Sequence, residues 1–126
     1  MPRVPVDVRW TTRNWFGVSN AVSNSKSSHL VLMKWFPGWM SAPHTYVTDR
    51  LCVVLSGVWW CNSGPDFDPG NAVPVYPGGF VRRVAGTPHY DGALQGAAEA
   101  AVIAVTGTGP VRQAWVDPEQ PPLRRL

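Results

Sequence analysis

From His29 onward the chain alternates between short apolar, β-prone runs and clusters of turn-forming residues. His29 to Phe36 is such a run and ends at Pro37-Gly38. Thr45 to Leu55 is broken at Ser56-Gly57, and Val58 to Cys61 resumes it before Asn62-Ser63-Gly64-Pro65. Ala72 to Tyr76 precedes Pro77-Gly78-Gly79, and Phe80 to Val84 precedes Ala85-Gly86-Thr87-Pro88. Ala100 to Thr106 stops at Gly107-Thr108-Gly109-Pro110, and Val111 to Val116 gives one more run. Short apolar runs with this punctuation predict strands, and their regular spacing predicts an all-β sandwich or small barrel. Helix signals are weak. Gly92 to Ala101 is alanine-rich, but its two glycines disfavour a helix.

Within a strand, alternate side chains share a face. His44, Tyr46, Arg50 and Cys52 therefore point the same way if no bulge intervenes, as do His89 and Asp91. If Ser56-Gly57 closes a two-residue hairpin, Cys52 falls opposite Cys61, either as a cross-strand disulfide or as two buried thiols. A reducing compartment favours the thiols.

Composition narrows the function classes. The 126 residues make one domain, and 44% hydrophobic against 15% charged residues supports a packed core. A net charge of +3 without basic clusters argues against nucleic acid. No apolar run is long enough to span a bilayer, and residues 1–5 show no secretory pattern, so a cytoplasmic location is expected. Seven tryptophans point to an aromatic interior or a subunit interface. Residues 1–29 read as an N-terminal strand and loop segment, 30–116 as the barrel, and 117–126 as an extended proline-rich tail.

Two segments carry a family likeness. The first runs from Pro43-His44-Thr45-Tyr46 through Arg50 to Gly57, and the second from Gly78 through Val84-Ala85-Gly86 to His89. Their order and spacing resemble the two motifs of the cupin superfamily: His-x-His, three or four residues, Glu, six residues, Gly; then Gly, five residues, Pro-x-Gly, two residues, His. His44, Gly57, Gly78, Gly86 and His89 match, whereas Tyr46 stands at the second histidine, Arg50 at the glutamate and Val84 at the proline. The resemblance implies a cupin-type double-stranded β-helix, a small jelly-roll barrel, with His44 and His89 facing an internal pocket. It also implies a homodimer.

An ordinary cupin holds a divalent metal through three histidines and a carboxylate, and two of those four positions are changed here. His44 and His89 remain good ligands for Fe, Zn, Ni or Mn, with Tyr46 as phenolate or Asp91 as a third. The other reading is a metal-free pocket. Arg50 reverses a charge at a ligand position and either clamps a substrate carboxylate, enolate or phenolate or pairs with Asp49, Asp91 or another acid. Asp91 with His89 is an acid–base pair or a turn residue. His29 opens the strand before the first motif and either faces the pocket mouth or, the favoured reading, is a surface or edge residue. Trp35, Trp59 and Cys52, with Arg50, are the expected substrate-binding wall for a small, aromatic or anionic organic ligand, and His89, Tyr46, Arg50 and Asp91 the catalytic set.

Three functions compete. The first is a small-molecule enzyme, either metal-assisted and dioxygenase-like on an enol, diketone or phenol, or a metal-free isomerase or cyclase. The others are a non-catalytic ligand sensor and a structural dimerisation domain.

Overall fold

A computed structural model describes residues 10–11, 28–110 and 112–126, and over them the chain is almost wholly β. The strands are β1 (Trp10–Thr11), β2 (Ser28–Trp35), β3 (Trp39–Ser41), β4 (His44–Tyr46), β5 (Arg50–Ser56) and β6 (Trp59–Ser63). They continue as β7 (Val73–Val75), β8 (Phe80–Arg83), β9 (His89–Ala93), β10 (Ala101–Thr108), β11 (Gln113–Trp115) and β12 (Leu123–Arg125). One sheet has the order β1-β2-β10-β5-β8. In the other, β9 is central: β3 and β4 pair along one side of it and β6 along the other, with β12, β11 and β7 outside them. Every pair is antiparallel except β1 with β2. Among the described residues no helix is long and apolar enough to cross a membrane.

Alternation in the sequence becomes inside and outside. β2 buries His29, Val31, Met33 and Trp35; β5 buries Arg50, Cys52 and Val54; β10 buries Ala101, Ile103 and Val105. Apart from His29 and Arg50, these form one apolar cluster with Tyr46, Trp59, Cys61 and Ala93 of the opposite sheet. Burying an aliphatic side chain such as Val31, Val54 or Ile103 contributes about 1.5–3 kcal/mol each.

Cross-strand register sorts that interior into rows. Met33, Ile103 and Val54 lie side by side, as do Val31, Val105, Cys52 and Val81. The next row is polar: His29, Gly107, Arg50 and Arg83. The inner face of this sheet is thus apolar over most of its length and charged at one level.

The connection at Gly57 differs from a hairpin. β5 pairs with β10 and β8, whereas β6 pairs with β7 and β9, so the chain crosses between sheets there. Gly57 has φ +71°, and a Cβ on it would sit 2.3 Å from the Ala100 carbonyl oxygen, so the crossing requires glycine. Cys52 faces Val105 and Val81 in register, Cys61 faces Asp91 and Val73, and both are free thiols.

The predicted run 45–55 divides at Val47–Asp49 into β4 and β5. Residues 92–101 form no helix. β9 ends there at Ala93, and β10 begins at Ala101. Leu123–Arg125, within the tail, pairs with β3. Of residues 1–29, Trp10–Thr11 pairs with β2 and Ser28–His29 opens β2; the rest of the expected N-terminal segment lies outside the described residues.

Candidate functional site

The two motifs meet where β4 pairs with β9, with His44 directly opposite His89. Their ring centroids are 4.4 Å apart, and both residues are buried. Each ring is held from behind. His44 Nδ1 lies 2.7 Å from the Ala42 carbonyl oxygen, and His89 Nδ1 lies 3.0 Å from that of Thr87. A carbonyl only accepts, so each Nδ1 carries the proton and donates it, leaving each Nε2 with a lone pair. Burial, then the neighbouring His44, pushes the His89 imidazole down to about 2; burial lowers His44 as well. Both rings are neutral at ordinary pH. Trp115, in register with His44 on β11, packs its ring 5.3 Å away.

Asp91 stands two residues beyond His89 on the same face, in mid-strand rather than in a turn. Its Oδ1 accepts both buried indole N–H groups, from Trp35 at 3.1 Å and Trp59 at 3.2 Å. The two tryptophans expected to bind substrate therefore line the cavity while orienting a carboxylate. Donor atoms of His44, His89 and Asp91 all lie within 4.8 Å of one another, a group able to hold a metal ion.

Tyr46 packs beside both histidines, its ring centroid 5.2 Å from His44 and 5.4 Å from His89. Burial, followed by Asp91, holds its phenol well above 10. Without a metal Tyr46 is therefore a neutral phenol, and the expected phenolate ligand would have to give up that proton to the solvent on binding. Cys52 lines the cavity with its thiol pushed up to about 12 by burial, so it stays neutral.

Arg50 points inward and is 1% exposed, with its guanidinium 4.5 Å over the Tyr46 ring. Its partner is neither Asp49 nor Asp91. Nη1 lies 2.6 Å from His29 Nε2, reached across Gly107, where a Cβ would come within 3.5 Å of that same nitrogen. Asp49 instead pairs with Arg82 at the surface. His29, expected at the surface or edge, is 5% exposed, and burial followed by the Arg50 charge pushes it down to about 4.

Arg83 was missed as a site residue. It is in register with Arg50 on the adjacent strand and enters the same cavity, with Nη2 3.6 Å from Asp91 Oδ2. Its signal was available: in a strand containing Val81, an inward residue at 81 implies an inward residue at 83.

The cavity that these groups enclose has a volume of about 20 Å3, room for an ion or a water. An organic ligand must bring in a small reacting head or open the site further.

No protein-family model matches the chain, and no curated protein matches it in sequence. Solved structures do. A cupin-like protein from Thermotoga maritima is 17% identical over 79% of this chain and 72% of its own, with a TM-score of 0.56. The polyketide cyclase RemF from Streptomyces resistomycificus is 20% identical over 81% of this chain and 62% of its own, with a TM-score of 0.58. The DMSP lyase DddQ from Ruegeria pomeroyi is 16% identical over 77% of this chain, with a TM-score of 0.63; the match spans 47% of that lyase. At these identities the likeness is one of fold.

Proposed function

We propose that this chain, whose fold is the cupin-type double-stranded β-helix, is a small-molecule enzyme that uses a divalent metal held by His44, His89 and Asp91. One observation carries the reading: both imidazoles are anchored through Nδ1 to backbone carbonyls, leaving two neutral Nε2 atoms beside a buried carboxylate. Metal-binding histidines need that outer anchorage, which fixes tautomer and orientation. Asp91 takes the place expected of Tyr46, because it offers a charge without losing a buried phenolic proton.

A bound ion would polarise a substrate oxygen as a Lewis acid. Around it, Trp35 and Trp59 hold the Asp91 carboxylate in place, and Tyr46, kept protonated, lines the same cavity as a hydrogen-bond donor for a substrate oxygen. This is the equipment for shifting protons on an enolisable small molecule, the chemistry of an isomerase, cyclase or lyase. That a polyketide cyclase and a DMSP lyase share the fold supports small-molecule work in the barrel.

The two buried guanidiniums favour a second, metal-free reading. A divalent and a monovalent charge about 5 Å apart repel by roughly 6–7 kcal/mol at an effective dielectric of about 20. Against this, an imidazole with its pKa near 2 is a poor general base at neutral pH. The metal reading therefore stands first.

Metal content decides between them. Protein stripped with chelator and reloaded with iron, zinc, nickel or manganese should take up close to one ion per chain. His44→Ala and His89→Ala should each weaken that uptake by more than about a hundredfold. A wild-type protein that retains none of the four metals sinks the proposal. Ligand binding without turnover would make the domain a sensor.

We also infer a homodimer formed through the outer face of the β1-β2-β10-β5-β8 sheet. Leu51, Val53 and Leu55 all point outward from β5, and Phe80, in register with Val53, is 61% exposed. Contiguous apolar surface of this kind marks an interface. Light scattering should give twice the chain mass, falling to one chain in Val53→Glu/Leu55→Glu; a monomeric wild type would exclude it.

A further inference from the structure

We propose that Arg50 and Arg83 together form a subsite for a small monocarboxylate, placed beside the His44–His89–Asp91 group. This names the substrate class for the enzyme proposed above and rests on that reading for its biological use.

The argument begins with register. Arg50 on β5 and Arg83 on β8 are direct cross-strand partners, and both side chains turn into the barrel. Like charges directly opposite each other destabilise a sheet, and burial removes the water that would screen them. Among the described residues one carboxylate, Asp91, is buried, against these two guanidiniums. Counting buried guanidiniums against buried carboxylates among the described residues leaves one cation unmatched. A monoanion would neutralise it.

The hydrogen bonds say where that anion sits. Each guanidinium is braced through Nη1: Arg50 on His29 Nε2 at 2.6 Å, Arg83 on the Asn62 carbonyl oxygen at 3.4 Å. Each also lies against an aromatic ring, Tyr46 for Arg50 and Trp59 for Arg83. The opposite edge is left over in both. Nε and Nη2 of Arg50, and Nε and Nη2 of Arg83, are buried and hydrogen-bond no group among the described residues. Asp91 Oδ2 lies 3.6 Å from Arg83 Nη2, too far for a hydrogen bond. The Nε–Nη2 edge is the fork that receives the two oxygens of a carboxylate side-on. Four unused donor atoms on two arginines that line one cavity match the paired oxygens of a planar carboxylate.

The same anion would offset the repulsion between these arginines and a divalent ion. The Arg at the position of the usual cupin glutamate then serves a ligand carboxylate in place of a protein one.

Calorimetric titration of sodium acetate into chelator-stripped protein tests the subsite without any metal. Saturable binding and a Tm several degrees higher are expected in acetate, with neither effect in sodium chloride at equal ionic strength. Arg83→Met should lose the acetate response. If that variant does not fold, Arg83→Lys keeps the charge without the fork and should bind acetate at least about tenfold more weakly. No acetate-specific binding in the wild type, or undiminished binding in the arginine variants, overturns the proposal. Because no metal is present, these outcomes leave the metal-loading experiment to succeed or fail on its own.

Discussion

Replacing Asp91 by alanine is expected to cost about 3–5 kcal/mol of folding stability, the range found when one partner of a buried charged network is removed. Three groups depend on this carboxylate. The indole N–H groups of Trp35 and Trp59 would lose their acceptor inside the core, and a buried unsatisfied donor costs about 1–3 kcal/mol. Arg83 would lose its nearest negative charge while remaining 7% exposed. Asp91→Asn separates these effects, since an amide oxygen still accepts from both indoles. It should cost clearly less than alanine while leaving Arg83 uncompensated. Urea unfolding at neutral pH, with an unchanged m-value, gives both numbers. Adding Arg83→Met to Asp91→Ala should recover part of the loss, because two coupled groups then leave together. Equal, small costs for both variants would mean that Asp91 is solvated and does not organise the pocket.

Such dependence on one residue explains which parts of this protein can be read from its sequence. β2, β5 and β10 are legible because each has one face in the core and one outside, so burial is written as strict alternation. The convergence of His44 and His89 is legible too, since motif spacing places both on strands lining one interior. β9 is not. All five of its residues are buried, because the strand is central and Tyr90 is capped from outside by Asn62 and the Asp68 backbone. With both faces covered, His-Tyr-Asp-Gly-Ala shows no alternation, and its Asp-Gly pair reads as a turn. The hairpin that would have set Cys52 opposite Cys61 does not form, for a related reason: a tight glycine turn within one sheet and a glycine crossing between sheets look alike locally, although both residues are buried free thiols, the favoured reading. Arg83 was legible from the alternation of its own strand, whereas the inward role of His29 is non-local. Gly107, on a third strand, makes room for the His29–Arg50 contact, and no feature near residue 29 announces it.

The buried imidazoles also predict that metal-stripped protein loses stability steeply in mild acid. In the unfolded chain each histidine takes up a proton near pH 6.5. In the folded state His89 resists protonation down to about pH 2 and His29 down to about pH 4, with His44 displaced in the same direction. Below pH 6.5 the unfolded state therefore binds more protons than the native one, and stability must fall as pH falls. At pH 4.5 the deficit for His89 is about two pKa units, or about 2–3 kcal/mol. His29 adds a further loss that levels off near its own folded value, and His44 contributes in the same direction. Against a total stability of about 5–15 kcal/mol, these losses are enough to bring the unfolding transition into the range of about pH 4 to 6. Denaturant midpoints measured from pH 7.5 downward should be level above about pH 7 and then drop with a slope approaching three protons. His89→Gln should remove about one proton from that slope. A stability unchanged between pH 7 and 5 would require imidazolium to be solvated inside the barrel, and the buried, arginine-lined pocket would then be wrong.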